Sequence, residues 1–498
     1  MAGQLLGVIR APSPRVLLLF LVLLGGGFTL ANRGLPLVRN SLVYARASEN
    51  VIAHGYDPRP VVADSKLSYD KPILYAWLSA PFVERFGSHD GLRISSWLGS
   101  VAYLLAVVFF ARAFAARMSL GHDSLLLWLS ALGPCVVYQF WSAHPDGWFA
   151  ALVVAAWGIA ERIVADPRSR TVRSVACAGL VVYASILLKN YGLVLLISIP
   201  LYLLVHGGSI RASGRAARTI RVSGSIVLVL LGALVLLAWT GHHPLSRLEG
   251  EGGGVAQYNR GVFWTSAKGT WVQLGISLLL QFQVALLFAA RRCAWGRATI
   301  APLLCLGGIY VAGLMPFPTT FYNMRYFLPL FPLVALVLVR GAAGLGRGAR
   351  LGLLAAHAAI GFALVVAFNL APAYRAVEPA IPDLTVNWIG TPLSLLDNLR
   401  IRLHLDQQAW LDAIELEVPA GSVLYMMDVV YYRDAQHEVF ERDGRIRSDI
   451  RTRYVSSRSF SPGEPTFYVY GFLGRPPGLD RFGKVVDLGH SLYRVEPG

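Results

Sequence analysis

The chain of 498 residues is 55% hydrophobic and only 15% charged, with a mean hydropathy of +0.51. That balance excludes an ordinary soluble protein and puts most of the chain in a membrane. The formal charge of +16 does not point to nucleic acid, since there is no soluble basic domain studded with aromatics to hold one; it points to topology and to anionic lipid.

Apolar runs recur at roughly 16–31, 94–115, 123–140, 147–160, 174–188, 191–206, 223–240, 271–290, 299–315, 326–339 and 352–371. Some are short, and by length they predict about eleven membrane helices. The first run has a basic flank, Arg10 and Arg15, and a small-residue tail, GGGFTLANRG. Read as a cleaved leader instead, it would leave about ten helices and the same outer face.

The first outer loop, about 32–92, is long. Its segment NSLVYARASENVIAHGYDP predicts an amphipathic interfacial helix ended by Gly55 and a turn at Asp57 and Pro58. The stretch LSYDKPILYAW follows, with Lys71 and Pro72 expected a few residues before a membrane helix. A lysine at a membrane surface is a natural phosphate ligand, its ammonium in the headgroup layer and its stem in apolar surroundings.

Further on, arginines mark every second loop: Arg117; Arg162, Arg168, Arg170 and Arg173; Arg211, Arg215, Arg218 and Arg221; Arg291, Arg292 and Arg297; Arg340, Arg347 and Arg350. Basic loops stay on the cytoplasmic side, so the loops between them are predicted to face outward. Residues 242–270, with the Gly-rich stretch EGEGGG, form another outer loop on this reading. Cys135, Cys177, Cys293 and Cys305 lie in or beside apolar spans, where core packing is expected of each and no disulfide framework or zinc pattern follows.

After residue 372 the composition changes, and SVLYMMDVVYY and PTFYVYGFL read as strands between turns. The expected division is a membrane domain over 1–372 and a small α/β domain over 373–498. That tail, of roughly 125 residues, is long enough to hold its own core. With an odd helix count it lies outside the cytoplasm.

The order of residues along the chain resembles the GT-C superfamily of polytopic glycosyltransferases, within it the protein O-mannosyltransferase and lipid A aminoarabinose transferase branch. The resemblance rests on Tyr44 and Ala45, Gly55 eleven residues after that tyrosine, Lys71 and Pro72 with Tyr75 and Trp77, Phe86 and Gly87, and Arg93. It continues with Asp146 in SAHPDGWF, Lys189 in LLKNYG, and Arg325, Tyr326, Leu328 and Pro329 in NMRYFLPLFP. It implies an α-helical polytopic membrane protein of GT-C type with a small extracytoplasmic α/β C-terminal domain. It also implies an inverting glycosyltransferase at the outer face of a bacterial-type plasma membrane. The donor would be a polyprenyl-phosphate-linked sugar, and the acceptor a glycolipid, a polysaccharide or a protein hydroxyl.

One position departs from the branch. Its catalytic aspartate stands four residues before the tyrosine, where this chain has Asn40, followed by Ser41 rather than Glu. An amide cannot accept a proton as a general base. Asp146 is the expected substitute, with Glu49, Asp64 and Asp70 as further carboxylates on the outer face.

The chemistry needs cations against the charge that develops on the leaving phosphate, for which Lys71, Lys189, Arg325 and Arg247 are available. It also needs a proton acceptor near the attacking hydroxyl. Tyr44, Asp70, Tyr75, His144, His242 and Tyr326 are the candidate substrate contacts. Plainer roles stand beside these: Asp146 could simply favour a helix dipole, Lys189 and Arg325 could snorkel, and Tyr44, Tyr75 and Trp77 could belong to an interfacial belt. His144 and the pair His242 and His243 lack a third ligand nearby, so no cofactor is expected, a divalent metal being left open. Two rivals remain, a transporter, for which no internal repeat is visible, and a non-catalytic binder of lipid-linked sugar, which the loss of the aspartate at Asn40 would suit.

Overall fold

The computed structural model describes residues 14–31, 40–64, 67, 71–118, 129–131, 133–137, 143–165, 171–207, 260–286, 297–314, 324–342, 345–370, 411–427, 446–455, 461–471, 475–476, 478–490 and 492–497. The expected span at 223–240 lies outside them.

Helix α1, Pro14–Ala31, is the first apolar run. The amphipathic segment forms helix α2, Asn40–Ala53, which stops where Gly55 takes φ +62, a conformation glycine adopts without strain. A short helix, α3, Pro58–Ala63, follows, capped by the Asp57 side chain on the Arg59 N–H at 3.0 Å.

Helix α4 runs from Ile73 to Met118 and is broken at Gly87, with φ 77 and ψ 165. The two arms lie side by side. Ser79 Oγ donates to Ser95 Oγ at 2.8 Å, the Tyr75 hydroxyl donates to the Leu92 carbonyl at 3.2 Å, and a Cβ on Gly91 would stand 2.5 Å from the Phe82 backbone. The sequence reading began a helix at residue 94 and left 73–92 in a loop. The structure instead folds a helical arm back at Gly87, and this arm covers α2 and α3 through Ala47, Val51, Val61, Ile73, Ala76 and Ala80. The arm escapes a hydropathy scan because Glu84, Arg85 and the reversal interrupt its apolar run.

A short turn of helix, α5, Pro134–Val137, precedes helix α6, Asp146–Ala165, which packs along the second arm of α4. Two close approaches seat it there. A Cβ on Gly99 would meet Trp148 at 2.6 Å, and one on Gly147 would meet the Ser100 backbone at 2.7 Å. In lipid such small-residue contacts are what let helices pack tightly. Trp148 Nε1 also donates to the Ser95 carbonyl at 2.9 Å.

Helix α7, Val172–Leu188, returns alongside α6, gives way to a 3₁₀ turn at Asn190–Val194, and is followed by helix α8, Leu195–Gly207. The buried Glu161 of α6 accepts a hydrogen bond from the Tyr202 hydroxyl of α8. Helix α9, Arg260–Phe282, follows; from it Gln281 Nε2 donates to the Leu129 carbonyl at 3.1 Å.

Helix α10, Arg297–Pro302, passes through a π-helical turn, Leu303–Gly308, into α11, Ile309–Leu314. Pro302 and the pair Gly307 and Gly308 sit at that irregular turn, as expected of helix breakers. Helices α12, Leu330–Ala342, and α13, Arg347–Leu370, complete the bundle. Among the described residues Cys135 and Cys305 are buried as expected, whereas Cys177 is exposed on its helix.

Among the described residues, two helical stretches are both long and apolar enough to cross a membrane, Ile73–Phe114 and Asp146–Ala165, and shorter apolar helices accompany them. The first contains the reversal at Gly87.

The C-terminal region holds a five-stranded sheet in the order β2-β1-β3-β5-β4, from β1, Val423–Met427; β2, Arg451–Val455; β3, Phe467–Gly471; β4, Lys484–Gly489; and β5, Leu492–Glu496. Strands β1, β2 and β3 pair in parallel, and β5 pairs antiparallel with β3 and β4. Leu424, Met426, Tyr468, Tyr470 and Leu492 pack on one face with Ile414 and Val418. Val423, Tyr425, Phe467, Val469, Tyr493 and Val495 pack on the other with Leu479. Burial on both faces explains why VLYMM and FYVYG read as continuous apolar runs rather than alternating ones.

Candidate active site

Three charged side chains far apart in sequence meet at one end of the bundle. Asp146 opens α6, Lys189 ends α7, and Arg325 lies in a 3₁₀ turn, Met324–Phe327, ahead of α12. They are 1%, 8% and 7% exposed. The Lys189 ammonium donates to Asp146 Oδ1, and Arg325 Nε stands 3.5 Å from Oδ2. Lys189 Nζ lies 4.5 Å from the centre of the Tyr326 ring and the Arg325 guanidinium 5.4 Å from it, so one aromatic ring serves both cations.

Each member is fixed by local chemistry. Asp146 at the first position of its helix gains from the positive helix end, and the Gly99 and Gly147 contacts set how deep that end sits. The backbone of Lys189 is fixed from both sides, its N–H donating to the Ser185 carbonyl and its carbonyl accepting from the Gly192 N–H, each at 2.9 Å. Gly192 is required there because a Cβ would fall 2.6 Å from the Ile186 backbone. Two tyrosine hydroxyls pin the Arg325 turn: Tyr310 donates to the Tyr326 carbonyl at 2.8 Å and Tyr103 to the Leu328 carbonyl at 3.2 Å.

Beside this charged cluster lies an aromatic one. The Tyr44 ring meets Tyr75 edge-on at 5.0 Å and His144 edge-on at 6.4 Å. His144 Nε2 stands 3.4 Å from Ser41 Oγ, both side chains buried. His144 precedes Asp146 by two residues, so the two clusters adjoin. Ala143, just before it, takes φ 54, a strained conformation for a residue with a Cβ.

The structure therefore brings together Asp146, Lys189, Arg325 and Tyr326, and next to them His144, Tyr44 and Tyr75. The Tyr75 hydroxyl is engaged in the α4 hairpin. Glu49 is not among them. It lies about two turns along α2 from Ser41 and is held by Arg46 at 3.3 Å and by the Ser88 hydroxyl. Asn40 is the first residue of α2, and Lys71 is half-buried just before the first arm of α4. Asp64 is exposed at the end of α3. Asp70, Arg247 and His242 lie outside the described residues. Among those described, no three His, Cys, Asp or Glu side chains converge to hold a metal ion.

Sequence reasoning passed over Gly99, Gly147, Gly192, Tyr103 and Tyr310, which fix the backbone that carries the charged groups. The glycines in PDGW and KNYG stood next to the chosen residues and were the available signal.

No family model matches the chain, and neither does any curated protein. Solved structures do. The crystal structure of ArnT from Cupriavidus metallidurans in the apo state superposes with a TM-score of 0.54 at 16% identity, covering 96% of this chain and 97% of that one. The same enzyme bound to undecaprenyl phosphate gives 0.52 at 14% identity with the same coverage.

The chain has the ArnT fold. The likeness to these two structures is one of fold. Nearly the whole length of each chain takes part, so the likeness is not confined to a few shared helices.

Proposed function

We propose that the chain is an integral membrane glycosyltransferase that takes a sugar from a polyprenyl-phosphate donor. The carrying observation is the buried group of Lys189, Asp146, Arg325 and Tyr326 at one end of the bundle. One carboxylate stands against an ammonium with three N–H donors and a guanidinium with five. A lipid-linked phosphate, a diester in the sugar donor and a monoester once the sugar has left, is the chemistry that suits this group. An ArnT fold whose crystal structure holds undecaprenyl phosphate supports the same reading.

In this reading Asp146 is the counter-ion that sets the two cations rather than the proton acceptor, because both its oxygens face them. When an acceptor hydroxyl attacks the anomeric carbon from the face opposite the phosphate, the anomeric configuration inverts. Lys189 and Arg325 then stabilise charge as it gathers on the leaving phosphate oxygens.

The site lies at the outer face. Arg162 stands at the far end of α6, about 24 Å from Asp146 at 1.5 Å per residue, on the side of the arginine-rich loops. The C-terminal sheet belongs to a separate extracytoplasmic domain, and the membrane is the plasma membrane of a bacterial-type cell.

Asn40 favours one second reading, a homologue that binds a lipid-linked sugar without transferring it. Incubating purified protein with a panel of polyprenyl-phosphate sugars and candidate acceptors separates the two. Transfer supports the enzyme; tight donor binding with no transfer to any acceptor supports the binder.

A further inference from the structure

We infer that His144, acting through the Ser41 hydroxyl, is the proton acceptor for the attacking group. The inference rests on the transferase reading above and assigns the one role that reading leaves open.

The carboxylates near the site are paired with cations. Asp146 Oδ1 accepts from Lys189 and Oδ2 lies 3.5 Å from Arg325 Nε, an ion-pair contact without a hydrogen bond, and Glu49 is held by Arg46 and Ser88. Asn40 carries an amide, which holds no exchangeable charge. His144 is different in kind. Its imidazole is 4% exposed, sits two residues from Asp146, and places Nε2 3.4 Å from Ser41 Oγ on the first turn of α2. The left-handed turn at Ala143 is what delivers it there.

An imidazole titrates near neutrality, where a general base is most effective. A separation of 3.4 Å is long for a hydrogen bond, as such contacts often are before substrate binds.

The step balances as follows. The acceptor hydroxyl oxygen forms its bond to the anomeric carbon while the bond from that carbon to the phosphate oxygen breaks, its electron pair leaving with the phosphate. The hydroxyl proton passes to Ser41 Oγ as the serine proton passes to His144 Nε2. The resulting imidazolium lies beside Asp146, and it returns its proton to water after the products leave.

Among the described residues, the titratable and charged groups around His144 include Tyr44 of α2 and Tyr75 of α4, Asp146 of its own element, and Lys189 and Arg325, which Asp146 holds. Among these the imidazole is the group whose ordinary range lies between pH 5 and 8.

The test is the pH dependence of transfer with the best donor from the panel. Wild-type kcat should rise with pH through the imidazole range and then level. His144→Gln should lower kcat about 100-fold or more, leave donor KM within about threefold, and abolish that acid limb. Ser41→Ala, which removes a single oxygen, should lower kcat in the same direction, and retained binding of undecaprenyl phosphate shows that each variant is folded. Asn40→Asp in the His144→Gln background should restore at least tenfold in kcat and move the limb into the carboxylate range. An active wild type beside a His144→Gln variant with unchanged kcat and the same acid limb overturns this proposal alone. A wild type that transfers nothing overturns the transferase reading and this one with it.

Discussion

Asp146 shows how a residue's place in a structure changes the role its type suggests. In the sequence it is the conspicuous carboxylate on the outer side; in the structure it lies between Lys189 and Arg325. The two roles give different kinetics. As a base, Asp146→Asn would depress kcat and leave donor affinity intact. As a counter-ion, it strands two buried cations, and breaking such a pair costs about 3–5 kcal/mol. Asp146→Asn is therefore expected to weaken binding of undecaprenyl phosphate and to lower the unfolding temperature together; normal affinity and stability would return it to the role of base. Lys189, Arg325 and Tyr326 were legible because charged and aromatic residues at the ends of apolar spans stand out. Ser41 was not, since its significance lies in a contact across 103 residues of chain.

At the scale of elements, the devices that aim the site are close approaches and hydroxyl clamps. Gly99 and Gly147 let α6 touch the second arm of α4 backbone to backbone. Gly147→Ala should cost about 1–3 kcal/mol as an overpacking change and should shift Asp146, lowering transfer more than an alanine in a helix normally would; wild-type transfer would show that α6 adjusts. Tyr310→Phe deletes the hydroxyl that holds the Tyr326 carbonyl at 2.8 Å. It is expected to cost about 1 kcal/mol and to raise donor KM, with kcat at saturating donor little changed, as kinetics across donor concentration will show. The contacts themselves join different elements, so the sequence shows at most a glycine beside Asp146 and not what that glycine touches. The α2 helix and its stop at Gly55 were legible, since amphipathic period and glycine act locally. The reversal at Gly87 was not: a Phe-Gly pair at positions 86 and 87 does not announce that two helical arms run side by side.

For the whole molecule, hydropathy carried the polytopic helical class, and the match to ArnT over 96% of the chain agrees with that class. The strands at 423–427 and 467–471 were legible from their apolar runs, whereas β2, β4 and β5, rich in Arg, Lys, Asp and Glu, were not. The proposed topology puts that sheet on the same side as Lys189. Leu416, 82% exposed beside the sheet, offers a handle: Leu416→Cys in intact spheroplasts should react with a membrane-impermeant maleimide, and labelling only after lysis would invert the topology.

The most direct test of the central claim is the affinity of the purified protein for undecaprenyl phosphate, compared between wild type and Arg325→Ala. Loss of a charge-assisted contact to phosphate, at about 1.5–3 kcal/mol, should weaken binding about tenfold or more. Equal affinities in the two proteins would contradict a lipid-phosphate site built from Lys189, Asp146 and Arg325.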